Sequence, residues 1–222
     1  MPLNGTGLLA NSQCLINGVG SSASGIGNTL TLALNMTFPT LFAGTRIVYV
    51  AARDALENNS GWQRMGVWKV PGATQTTTTA VAGMNPARGA GIAKAFTFTF
   101  TDTKGANDLG VMNILVNDWL DGRHACYLAY ARGSNTLYLV NDNGDALLPG
   151  LALNGSGSLS NSQCAVNGVG SSASPSGNTL TLTLNMAFGA GFAGNRVFYL
   201  GARDVNELNN TGWQAMGSWT VQ

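Results

Sequence analysis

A ten-residue stretch of strict alternation occurs twice in this chain and limits what the chain can become. In residues 29–38, Leu30, Leu32, Leu34, Met36 and Phe38 alternate with Thr29, Thr31, Ala33, Asn35 and Thr37. In residues 179–188, Leu180, Leu182, Leu184, Met186 and Phe188 do the same. A helix would scatter these side chains around its circumference at about 100° per residue. A strand sends one set to each face, so each stretch reads as a half-buried strand with its apolar side on a core.

The alternation belongs to a longer duplication. Asn11-Ser-Gln-Cys14 through Trp68 returns as Asn161-Ser-Gln-Cys164 through Trp219. The offset is 150 positions at Cys14/Cys164 and 151 at Trp62/Trp213, so the second copy has gained one residue. Residues from about 72 to 153 have no counterpart. The chain therefore reads as the back half of one unit followed by one whole unit. Residues 1–71 are the C-terminal half-unit, 72–83 a linker and 84–222 the complete unit. Residues 71–91 are rich in Thr, Ala, Gly and Pro without periodicity, and are long for a connection inside one compact domain.

Within the complete unit, Phe96, Phe98 and Phe100 alternate with Thr97, Thr99 and Thr101. Further strands are expected at 111–116, 125–130 and 136–140. With those of the second copy they give about seven, separated by Gly, Asn and Asp turns. No helical period is present, and the expected fold is an all-β antiparallel sandwich. Only 9% of residues are charged and Gly is abundant, as suits turns and strand faces better than helix surfaces. Net charge is +1 and no Lys/Arg cluster exists, which makes nucleic acid and anionic membranes poor partners. No apolar run is long enough for a helical membrane span. Met1-Pro-Leu-Asn4 does not read as a leader peptide, so the expectation is an excised piece of a larger protein.

The series Val197-Phe-Tyr-Leu-Gly-Ala-Arg-Asp204, Asn209-Asn-Thr-Gly-Trp213 and Trp219-Thr-Val221 resembles the closing strands of immunoglobulin-like or fibronectin type III-like bacterial repeats. Such repeats stand in tandem in large secreted proteins. The resemblance covers the whole chain and implies an Ig-like sandwich, one complete repeat preceded by a half repeat, in a secreted or cell-surface setting. Its motifs are structural and bring no reaction with them. The inter-sheet disulfide of immunoglobulin domains is not carried over, because neither cysteine of the complete unit stands where that pair does.

Four groups of residues are candidates for function. Cys126 and Cys164 would oxidise to a disulfide in an exported protein, closing a loop of 38 positions; the alternative is three buried thiols, Cys14 among them. Asp102, Asp108, Asp142 and Asp145 lie in Asn/Gly-rich loops and offer hard oxygen ligands for calcium, although turn chemistry uses the same residues. His124, with Asp118 or Asp121 to orient it, could serve a calcium-dependent hydrolase of small esters or lactones, but no Gly-x-Ser-x-Gly elbow presents a serine. Trp119 or Tyr130 could serve a carbohydrate-binding surface. Arg53/Asp54 and Arg203/Asp204, matched between the copies, read as structural ion pairs or caps. A structural or adhesive module is the leading expectation, with hydrolase and carbohydrate-binding module as alternatives. The half-unit lacks front strands, which predicts a homodimer built through residues 1–71.

Overall fold

The computed structural model describes residues 1, 3 and 5–222; Pro2 and Asn4 of the opening segment lie outside the described residues. The chain is nearly all β. In order its strands are β1 (Leu8–Ala10), β2 (Leu15–Ile26), β3 (Thr29–Thr37), β4 (Gly44–Val50), β5 (Gln63–Val70), β6 (Thr79–Asn85), β7 (Arg88–Ala90) and β8 (Ala93–Asp102). They continue as β9 (Leu109–Asn117), β10 (Cys126–Ala131), β11 (Thr136–Leu139), β12 (Leu151–Ala152), β13 (Ser158–Ser160), β14 (Cys164–Ser176), β15 (Thr179–Phe188), β16 (Gly194–Asp204) and β17 (Gln214–Val221). Two compact units result: residues 1–46 with 69–74, and residues 47–68 with 75–222.

The larger unit is a two-sheet sandwich. One sheet runs β12-β11-β10-β9-β16-β17-β7 and the other β13-β14-β15-β8-β6. All pairings are antiparallel except that of β17 with β7. The alternating residues do what their period demands. Phe96, Phe98 and Phe100 of β8 face the core beside Leu184, Leu182 and Leu180 of β15, their register partners. Ile114, Val116, Leu128, Phe198 and Leu200 meet them from the opposite sheet. Each such side chain contributes about 1.5–3 kcal/mol by leaving water. Trp219 packs edge-on against Phe96 and donates its indole N–H to the carbonyl of Gly91 at 2.7 Å. Gly89 lies flat on the same indole; a Cβ there would sit 2.3 Å from the ring, so only glycine fits.

Two expectations change. Residues 72–83 are not a free linker, because β6 begins at Thr79 and forms the edge of the five-stranded sheet. Thr79 and Val81 are buried there. Most of its residues are Thr, Ala and Gly, and a bulge between Val81 and Gly83 breaks its alternation, so it carries no apolar rhythm. Nor is the half-unit an independent piece. Residues 47–68 belong to the larger unit, where Ile47 and Val67 pack on Leu115, Val197, Tyr199 and Ala215, on the side of the seven-stranded sheet away from the main core. The hairpin uses the face corresponding to Val197 and Tyr199. The opposite face, Val48, Val50 and Trp68, stays exposed, whereas its counterparts Phe198, Leu200 and Trp219 are buried.

The smaller unit is the sheet β1-β2-β3, with the same internal register as β13-β14-β15. Even the bulge is repeated: Ser21 Oγ donates to the Asn17 carbonyl and accepts from the Asn35 amide, as Ser171 does with Asn167 and Asn185. The two copies differ sharply in burial. Leu30, Leu32, Leu34 and Met36 are 75%, 54%, 40% and 39% exposed, while Leu180, Leu182, Leu184 and Met186 are at most 1% exposed.

Candidate functional site

The cysteine expectation is met. Cys126 of β10 and Cys164 of β14 form a disulfide with Cα atoms 5.5 Å apart, tying the two sheets together, while Cys14 is a free thiol.

The four carboxylates do not form one calcium site. Asp102 and Asp108 flank the turn that enters β9, and Asp142 and Asp145 lie in the loop after β11, at the far end of β9. Nine extended residues separate the two ends by roughly 27 Å. Within each pair the carboxylates bond or face groups of their own loops. Asp102 is buried and accepts from the hydroxyls of Thr79 at 2.6 Å and Thr78 at 3.3 Å and from the Lys104 amide at 2.9 Å. It pins β6 to β8. Asp108 faces Lys104 Nζ at 3.4 Å. Asp142 Oδ1 accepts from the Ser162 amide, and Asp145 Oδ1 from the Asn141 side chain. Among the described residues no group of three or more His, Cys, Asp or Glu side chains is placed to hold a metal ion.

The proposed hydrolytic group is also dispersed. His124 is exposed in a left-handed turn, and its amide donates to the Asp142 carbonyl at 2.8 Å. Among the described residues, no hydrogen bond joins its imidazole to Asp118, Asp121 or a serine. Asp118 is held between two largely buried arginines, bonded to Arg196 Nη1 and 3.5 Å from Arg64 Nη2. Asp121 is paired with Arg123 at 2.6 Å; hydrogen bonds from the Arg123 side chain and amide lower its pKa to about 2. A carboxylate so engaged is not free to orient an imidazole.

Tyr130 cannot serve as a carbohydrate platform, since its ring is in the core and its hydroxyl bonds Asn135 Oδ1 at 2.9 Å. Trp119 is exposed, but the Arg64 guanidinium lies 4.7 Å from its ring centroid and covers one face. The shallow depression beside Ala93, Ser158, Asn167 and Asn185 carries no titratable group.

The matched Arg–Asp pairs prove to be loop closures with a different acid. Arg53 bonds Glu57, and Arg203 bonds Glu207. Asp54 accepts from the amides of Leu56 and Asn58 and from the Asn58 side chain; Asp204 accepts from Asn206, Leu208 and Asn209 likewise. These bonds, from the Asn58 and Asn209 side chains first, lower both carboxyl pKa values.

The pH consequence has a definite sign. Asp54, Asp121 and Asp204 have folded pKa values below their unfolded ones. Their contribution to stability is complete above the ordinary carboxylate range and is lost as pH falls through the folded values. The unfolding midpoint should hold level from about pH 7 to 5 and fall between about pH 4 and 2. Asp204→Asn should flatten part of that fall. A midpoint flat to pH 2 would contradict the assignment.

No family model, curated protein or solved structure matches the chain.

Proposed function

We propose that this chain is a structural or adhesive β-sandwich module of an exported protein, with no chemistry of its own, and that residues 1–46 are a joining surface for other polypeptide. The carrying observation is one sequence pattern in two burial states. Leu180–Met186 close a core, while Leu30–Met36 lie open to water on a sheet of the same register. Leaving such a face wet forfeits about 25 cal/mol per Å² of apolar surface, a cost that cover by a partner recovers. The disulfide fits an oxidising compartment, and the two-sheet architecture fits the immunoglobulin-like or fibronectin type III-like reading.

The hydrolase alternative has one decisive test. The full chain and its His124→Ala variant should show no turnover of simple esters or lactones above buffer, with or without chelator. Their unfolding free energies should agree within about 0.5 kcal/mol, as at other exposed sites. Turnover that His124→Ala abolishes would replace the structural reading with an enzymatic one.

A further inference from the structure

The uncovered half-unit can be compared with a finished version of itself in the same chain. In the complete unit, one segment between Ala93 and Val140 meets four needs of the repeated stretch. Strand β8 pairs with β15 along Thr179–Ala187, laying Phe100, Phe98 and Phe96 beside Leu180, Leu182 and Leu184. Asp118 bonds Nη1 of Arg196, whose remaining nitrogens bond the carbonyls of Phe192 and Ala193. Cys126 bonds Cys164. The carbonyls of Ala125 and Val140 accept from the Asn161 side-chain amide.

All four needs are unmet in the half-unit. Among the described residues strand β3 is the edge of its sheet, with no neighbour opposite β2. Arg46 repeats the bonds of Arg196 to the Phe42 and Ala43 carbonyls, at 3.0 and 2.7 Å, and lies over Phe42 as Arg196 lies over Phe192, yet no carboxylate reaches it among the described residues. Cys14 is a thiol. Asn11 caps its own turn through Oδ1, as Asn161 does, but among the described residues its side-chain amide has no carbonyl corresponding to those of Ala125 and Val140. The half-unit thus repeats the register and the side-chain hydrogen bonds of the finished copy, with none of the four partners in place among the described residues.

We propose that the open face of β1–β3 is an acceptor site for an extended polypeptide segment in which aromatic residues alternate with threonine, followed by a carboxylate and a cysteine. The segment adds antiparallel to the free edge of β3 as Ala93–Asp102 adds to β15. This deepens the joining reading above and rests on it. Main-chain bonds to the edge supply affinity, and the alternate side chains set the register. By the offset of 150, the residue corresponding to Phe98 falls opposite Leu32, with those of Phe96 and Phe100 opposite Leu34 and Leu30. The charge also matches: Arg46 asks for an acid, as Arg196 asks for Asp118.

A second copy of this chain is a poorer occupant. Its half-unit carries no acid or thiol donor corresponding to Asp118 and Cys126. Its complete unit has both groups spent, on Arg196 and Arg64 and on Cys164.

The test has two arms on the full chain. Hydrogen exchange is first measured on the chain alone, then with a synthetic peptide of the sequence 93–102 and with a peptide of the same composition whose alternation is broken. Alone, Thr29–Thr37 should exchange fast and Thr179–Phe188 slowly. The alternating peptide should slow the β3 amides at least about tenfold, and the scrambled one should not. Leu32→Asp should remove this protection and leave Thr179–Phe188 unchanged.

In the second arm, an extra copy of residues 75–150 is fused directly before Met1, and the protein is refolded with glutathione disulfide. Cys14 and the added counterpart of Cys126 should form a disulfide, two thiols being oxidised as one glutathione disulfide is reduced to two glutathione thiols. The single free thiol of the native chain then disappears. Protection of β3 in the chain alone at micromolar concentration would mean that copies cover each other, and would overturn the joining reading itself. An open β3 that neither peptide protects, with Cys14 still titratable in the fusion, would overturn the strand-acceptor proposal only.

Discussion

Leu182→Ala should cost the complete unit about 3–5 kcal/mol, while Leu32→Ala, the same change in the same local sequence, should cost less than about 1 kcal/mol. Leu182 is fully buried opposite Phe98, within an aromatic cluster in which Phe96 lies 4.8 Å from Phe198 and 5.0 Å from Trp219. Removing its isobutyl group forfeits transfer energy and leaves a cavity that two hydrogen-bonded sheets cannot collapse to fill. Leu32 already keeps about half its surface in water. Since small domains are stable by only about 5–15 kcal/mol, the first variant loses a large share of its margin. Denaturant unfolding read through Trp219 follows Leu182→Ala, and far-ultraviolet circular dichroism, which sees the strands of both units, follows Leu32→Ala. Equal losses would show that the face of β3 is buried in solution and would remove the basis of the joining reading.

How far the sequence could be read depended on side-chain size. Period two in Leu30–Phe38 and in Phe96–Phe100 announced strands β3 and β8 because the alternating side chains are large and apolar. In β6 the period is begun by Thr79 and Val81 and broken by a bulge before Met84, and Thr79 is buried through its hydroxyl bond to Asp102 rather than through apolarity. Such a strand resembles a linker in composition. Asp102 reads as a calcium ligand on the same grounds, since an Asp in a Gly/Asn-rich turn looks alike whether it binds a cation or the hydroxyls and amide of its own fold. Residues 46–54 are apolar on both faces, and the second face has a purpose: Ile47 packs on Val197 and Tyr199. Residues 47–68 thus find cover within their own chain, while the apolar face of β3 stays open.

Reducing the Cys126–Cys164 bond, or replacing Cys126 by serine, should lower the stability of the complete unit by roughly 4 kcal/mol. The loop it closes spans 38 positions, and the chain-entropy relation gives this figure for the states the crosslink removes from the unfolded ensemble. Its position makes the loss one of packing as well. Cys126 stands on β10 of the seven-stranded sheet and Cys164 on β14 of the five-stranded sheet, so the bond crosses the core between layers held mainly by apolar contact, beside the hydrogen bonds from the Asn161 side chain to the Ala125 and Val140 carbonyls. Both half-cystines are buried, and Cys126→Ser would leave a hydroxyl and the Cys164 thiol facing each other in the core. Cys126→Ala with Cys164→Ala separates the two effects, since it removes the crosslink without burying a new polar group. Guanidinium unfolding of the oxidised chain, the reduced chain and the double variant measures all three. The reduced chain and the double variant should agree within about 1 kcal/mol and lie well below the oxidised chain. Cys14→Ser should leave the curve of the oxidised chain unmoved, because Cys14 has no partner to lose. If reduction shifts the midpoint no more than Cys14→Ser does, the inter-sheet bond is not what holds the two layers together.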